Sequence, residues 1–216
     1  MVILLVAFVV RTAGAGLKTS SGRTSGALVN LISLGLMVLA AAVFVGSTVV
    51  VIDAGQVGVS HAFGKVSPTP LLSGVRIIAP WSEVEHFSTR EEQFPSARAE
   101  AEVMQALSGE QMSMQVDVAV RWQIDPQEAP HIFTEIEGMA QIESVVLNAI
   151  RNGVRDGMSQ FSINDIGNRS KIADVMRAEV DSALVTQPRA GGQPFRIATV
   201  TAFFLRNLAP PEQVVN

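Results

Sequence analysis

Residues 107–133 read LSGEQMSMQVDVAVRWQIDPQEAPHIF, and the change of period inside this stretch decides the fold class. Met112, Met114, Val116, Val118, Val120 and Trp122 alternate with Ser, Gln, Asp, Ala and Arg. Successive side chains of an extended chain point to opposite faces, so Met112–Ile124 reads as one long, half-buried strand. Ser108-Gly109-Glu110 is a polar turn from an earlier strand, Ala101–Leu107, and antiparallel pairing through such short turns is expected. Asp125-Pro126 ends the long strand, and beyond it the apolar spacing becomes helical.

Towards the C-terminus the helical spacing persists. Gln127–Glu135 predicts a short helix, disturbed by Pro130. Ile142, Val145, Val146, Ala149, Ile150 and Val154 mark one face of a helix over Met139–Asp156, with Gly157 as its stop. Ser162-Ile163-Asn164-Asp165 has the chemistry of a helix start, and Ile172, Val175, Met176, Val180 and Leu184 carry that helix towards Thr186. Pro188–Pro194 is a Gly-rich loop, and Phe195–Leu205 is a closing strand before Asn207 and the Pro210-Pro211 break.

Towards the N-terminus the period is two. In Gln56–Gly64 the residues Val57, Val59, His61 and Phe63 share a strand face, and Gly74–Ile78 and Val84–Thr89 are two further short strands on either side of Pro80. Strands first, helices next and one closing strand define an α+β domain over residues 53–216. These roughly 160 residues suffice for one domain with its own core.

Before Asp53 the character changes. The run ALVNLISLGLMVLAAAVFVGSTVVVI, residues 27–52, carries no charge. As a helix it would reach roughly 39 Å, more than a hydrocarbon core of about 30 Å requires, and it is predicted to be a transmembrane helix. The β-branched tail Thr48–Ile52 favours an early end to that helix over a tilt. Residues 1–26 comprise a short apolar start, MVILLVAFVV, and a basic juxtamembrane segment with Arg11, Lys18 and Arg23. The apolar start is too short to span and lacks the positive flank of a secretory signal; it lies in the interface or belongs to another membrane helix. Asp53 follows the span and the next basic residue is Lys65, so the positive-inside rule puts the N-terminal flank in the cytoplasm. The expectation is a single-pass protein of the plasma (inner) membrane with residues 53 onward outside, in the periplasm of a Gram-negative cell.

The formal net charge of −4 and a pI near 5.4 argue against nucleic acid, which requires a concentrated basic surface. The absence of Cys excludes disulfides, thiolate metal sites and a Cys nucleophile. His61, His86 and His131 are isolated from one another and read as surface residues. There is no Gly-x-Ser-x-Gly elbow and no Ser-x-x-Lys, while Ser170-Lys171 is adjacent and so cannot act as a dyad on a helix. Gly14, Gly16 and Gly22 follow no strand and form no phosphate loop. Asn168-Arg169-Ser170 matches a glycosylation sequon inside an expected helix. No catalytic, cofactor-binding or metal-binding residue is assigned, and the chain is not expected to be an enzyme. Glu91, Glu92, Glu100, Glu102 and Glu110 form either a metal surface or, more simply, the solvated side of a sheet. Arg151, Arg155 and Arg169 either pair with a neighbouring subunit or solubilise their helices. Val75, Ile77, Ile78, Pro80 and Trp81 make a candidate interfacial patch, since Trp favours the headgroup region. Adjacent Phe203 and Phe204 face opposite ways; burial on both faces of a central strand is expected over contact with a partner.

Four stretches in this order resemble the SPFH (stomatin–prohibitin–flotillin) or Band 7 family, which includes the bacterial HflK/HflC pair. They are VIDAGQVGVSHAFGKV, LLSGVRIIAPWSEVEHFSTREEQFP, the stretch 107–133 and NAIRNGVRDGMSQFSINDIGNRSKI with the closing strand before NLAPPEQVV. Members usually continue into a long Ala/Glu/Gln/Lys-rich coiled coil that drives ring assembly, and here the chain stops at Asn216, where that helix would begin; a fragment is expected. The resemblance implies a membrane scaffold without catalytic residues, assembled laterally as a homo- or hetero-oligomer with other SPFH subunits. It encloses a microdomain of the lipid bilayer and, in some relatives, regulates a membrane AAA+ protease of the FtsH type. The alternatives are a direct modulator subunit of a channel or transporter and, least supported, a membrane hydrolase.

Overall fold

The computed structural model describes residues 23–96, 102–136, 138–186, 188 and 191–210, with side chains in the first helix given at Leu31 and from 34 onward. The chain divides into two compact units, one from residues up to Val51 with Val75–Ser82, the other from Ile52–Gly74 with Glu83 onward.

The first unit is a helix and part of a ribbon. Helix α1 spans Arg23–Gly46 and contains no acid. It ends six residues before Ile52. The Ser47 hydroxyl donates to the Phe44 carbonyl (2.8 Å) and the Thr48 hydroxyl to the Val45 carbonyl (2.7 Å), closing the last turn. The β-branched residues that follow form strand β1 (Val49–Ile52), which pairs with β4 (Gly74–Ile77). Within the run 27–52 the helix thus ends early, as the β-branched tail favours: four β-branched residues take extended backbone and find a strand partner. Among the described residues, no helix is long and apolar enough to cross a membrane.

Among the described residues of the second unit, three sheets and three α-helices enclose one core. Strand β2 (Gln56–Ala62) lies between β3 (Lys65–Val66) and β5 (Glu83–Ser88). Val57, Val59 and Phe87 are fully buried. The last two alternating positions depart from expectation: His61 is half-buried, and Phe63 lies beyond the strand in the turn to β3, exposed. The larger sheet is built on β8 (Ser113–Gln123), which buries Met114, Val116, Val118, Val120 and Trp122 as the alternation predicts. On one side β8 pairs with β6 (Glu92–Phe94) and β7 (Val103–Leu107), on the other with β11 (Thr199–Ala209), all antiparallel. The architecture is α+β with antiparallel sheets.

The helices refine the expected boundaries. In α2 (Ala129–Glu135), Pro130 occupies the first turn, where its missing N–H costs nothing, so it starts the helix and does not disturb it. Helix α3 (Met139–Ser159) runs through Gly157 without stopping. That glycine faces α4 (Arg169–Ala183): a Cβ would lie 2.8 Å from the Met176 Cα, and one on Gly153 2.5 Å from the Val180 nitrogen. The two glycines, one turn apart, let the helix backbones touch. The expected helix start at Ser162 is a capping box, with the Ser162 hydroxyl accepting from Asn164 and the Asp165 carboxylate accepting from the Ser162 N–H. It caps a 3-10 turn, Ile163–Gly167, and α4 begins only at Arg169. The closing strand is also divided: β10 (Phe195–Arg196) pairs with β9 (Val185–Thr186), and β11 follows with bulges between Val200 and Ala202 and between Leu205 and Asn207.

Candidate interaction surfaces

The residues with catalytic or ligating potential do not converge. The half-buried His61 ring stacks on Phe133 (centroids 5.1 Å apart), so it is a packing residue and not the surface residue expected. His131 is exposed and stacks on Phe195 at 5.9 Å, and His86 is exposed on β5. Ser170 and Lys171 are both exposed in the first turn of α4. Asn168 stands at the cap of α4, not inside a helix as expected, because the capping box ends in a 3-10 turn. Among the described residues no group of three His, Asp or Glu could hold a metal ion.

Three of the acidic and basic residues singled out from sequence, Arg151, Glu102 and Glu91, meet partners within the chain. Arg151 on α3 donates through Nε (3.0 Å) and Nη2 (2.8 Å) to one oxygen of Glu102, just before β7. It is therefore engaged in its own subunit, in place of the expected alternatives. Glu91 faces Arg121 at 3.6 Å and accepts from the Thr201 hydroxyl. Glu100 lies outside the described residues, and Arg155 and Arg169 are exposed. A cavity of about 330 Å³ opens beside α3, its lining including Glu92, Phe94, Glu102, Trp122, Glu143 and Leu147. In that lining Phe94 and Trp122 are buried, Glu92 and Glu102 half-buried and Glu143 exposed.

The open apolar surfaces carry more information. In the β1–β4 ribbon the Ile78 N–H donates to the Thr48 carbonyl (2.8 Å). This bond joins the residue before one strand to the residue after the other, so the strands run antiparallel, with Val49 beside Ile77 and Val51 beside Val75. Opposed residues share a face, and the four side chains form one apolar surface on which Ile77 is 83% exposed. Trp81, 61% exposed, belongs to the same unit. Of the apolar patch expected from the sequence, Val75, Ile77 and Trp81 are exposed while Ile78 and Pro80 are half-buried, and β1 adds Val49 and Val51. The sequence signal for that second half was the run Thr48–Ile52, read only as the end of a helix.

The second surface is the outer face of the larger sheet, where Val103, Leu107 and Phe204 are each about half exposed. Phe203 packs on the core, whereas the Arg121 guanidinium lies over the Phe204 ring, 5.9 Å from its centre. The expectation that both are buried fails because β11 is an edge strand, with β8 on one side only.

The sequence model of the SPFH domain / Band 7 family matches residues 50–216. The chain belongs to this family. The match begins inside β1, so the SPFH domain includes the apolar ribbon as well as the second unit. The curated proteins compared with the chain contain no match.

Proposed function

We propose that this SPFH protein is a membrane-anchored, non-catalytic scaffold whose copies assemble side by side. Such an assembly organises a patch of bilayer and regulates a membrane-bound AAA+ protease. The observation that carries the reading is the way α1 passes, through Ser47 and Thr48 alone, into a ribbon with one wholly apolar face. The reading takes residues 27–46 of α1, which carry no charge, as the core of the anchor. An apolar ribbon and a Trp at the end of such a helix suit the headgroup region. Arg23 at its start and Asp53 beyond its end favour a cytoplasmic N-terminal flank with the SPFH domain on the outer side of the plasma (inner) membrane. A scaffold requires an anchor, a folded body and lateral contacts but no catalytic group, which agrees with the dispersed histidines and the internally paired arginine.

Native mass spectrometry of the protein extracted from membranes in mild detergent tests the reading. The expected result is a discrete complex of many subunits. A monomer would sink the scaffold, and a chain washed from membranes by alkaline carbonate would sink the anchor.

A further inference from the structure

Strand β6 holds a carboxylate where its period calls for a core residue. Phe94 opposes Val120 and Glu92 opposes Trp122, and apart from Glu92 all of these are buried. Opposed residues share a face of the sheet, so Glu92 lies on the core side with Phe94 and Trp122. There the three line the cavity of about 330 Å³ that Glu143 and Leu147 of α3 border from the other side. Neither Glu92 nor Glu143 has an ion-pair or hydrogen-bond partner among the described residues. Glu102 is the third carboxylate of the lining, and Arg151 engages only one of its oxygens. Three carboxylates thus meet one guanidinium, beside two aromatic rings, in a recess that is half-buried. An inward charge on an edge strand also deters pairing with foreign strands, but that role requires neither the cavity nor the carboxylate supplied by α3.

We propose that this cavity receives an arginine side chain from a partner protein. The charge of the lining selects a cation, and the rings select its shape. A guanidinium is flat and weakly hydrated, so it stacks on aromatic rings while its N–H groups pair with carboxylates. An ammonium is a compact, strongly hydrated point charge and loses more on entering a half-buried recess. Leu147 gives the alkyl stem an apolar contact. Trp122 is 4% exposed, and its indole N–H meets no acceptor among the described residues, so a carbonyl of the entering chain can take it. The inference goes beyond the scaffold reading and does not depend on it, since the cavity lies wholly within the second unit.

Trp122 is one of two tryptophans, so Trp81→Phe makes it the sole indole emitter. The full chain with that change, in nonionic detergent, is titrated with acetyl-Gly-Arg-Gly-amide and with the same peptide carrying citrulline, a neutral group of the same shape. The expected result is a saturable change in Trp122 emission with the arginine peptide and none with the citrulline peptide. Glu92→Gln weakens binding about tenfold, as loss of a charged hydrogen-bond partner does. Glu143→Gln weakens it by up to about fivefold, since that carboxylate is exposed. The citrulline comparison needs no change in the cavity, so it decides the matter should Glu92→Gln fold poorly. The inference is overturned if the citrulline peptide or a lysine peptide binds as tightly, or if both glutamine variants keep the parent's affinity. Methylguanidine binding as tightly as the peptide overturns the partner chain, and a response seen only after Arg98→Gln makes an arginine of this chain the occupant. No change in emission leaves Glu92 as a deterrent to edge pairing and ends the proposal.

Discussion

Glycine inside a helix costs about 1 kcal/mol relative to alanine, yet α3 keeps Gly153 and Gly157 one turn apart. Both face α4 at distances no Cβ tolerates, and the obstacle is backbone, which cannot move aside like a side-chain tip. Gly153→Ala is expected to lower stability by about 1–3 kcal/mol despite the better helix propensity, read as a shift in the urea midpoint. Gly167→Ala, where an added Cβ meets nothing within 4 Å, is the control and should change stability by less than about 0.5 kcal/mol. The Arg151–Glu102 pair is a weaker tie. Both side chains are more than a third exposed, so Arg151→Ala should cost less than about 1 kcal/mol, and the loss should shrink further in high salt.

At the scale of elements, the ribbon behaves unlike the strands around it. Removing its exposed apolar atoms takes nothing from the core, so Ile77→Ser combined with Trp81→Ser should leave the thermal midpoint nearly unchanged while weakening attachment to vesicles. In a Trp122→Phe background, Trp81 emission should shift to the blue when vesicles are added, and an unshifted spectrum would remove the ribbon from the membrane reading. Elements whose apolar period is long were legible from the chain alone. β8 carries five alternating positions and α3 four turns of one face, and each came out within three residues of its observed ends. What could not be read depends on neighbours far away in sequence. Gly157 looks like a stop until α4 is known to lie against it, and Phe204 looks buried until β11 is known to be an edge. Phe63 fitted the strand period, and nothing local revealed the left-handed turn that turns it outward. The candidate surfaces were legible by halves: Val75, Ile77 and Trp81 by composition, Val49 and Val51 only through their pairing.

At the scale of the whole molecule, the order of strands differs from their order in the chain. β8 is bordered by β6 and β7, which precede it closely, and on its other side by β11, which begins 76 residues after β8 ends. Both helices of the α3–α4 pair lie in that interval, and α4 packs against the late strand. Synthesis adds about 5–20 residues per second, so for about 4–15 s strand β8 has an open flank while it emerges. A nascent chain held on the ribosome with Gln123 emerged but Thr199 still to be made should therefore be cut readily by protease between Val103 and Gln123, and one released beyond Ala209 should resist. Under the membrane-anchored scaffold proposed above, this gives the timing of assembly a physical basis. In that proposal, lateral recognition that depends on a finished sheet would wait for translation to end, and subunits would meet as completed bodies and not as growing chains.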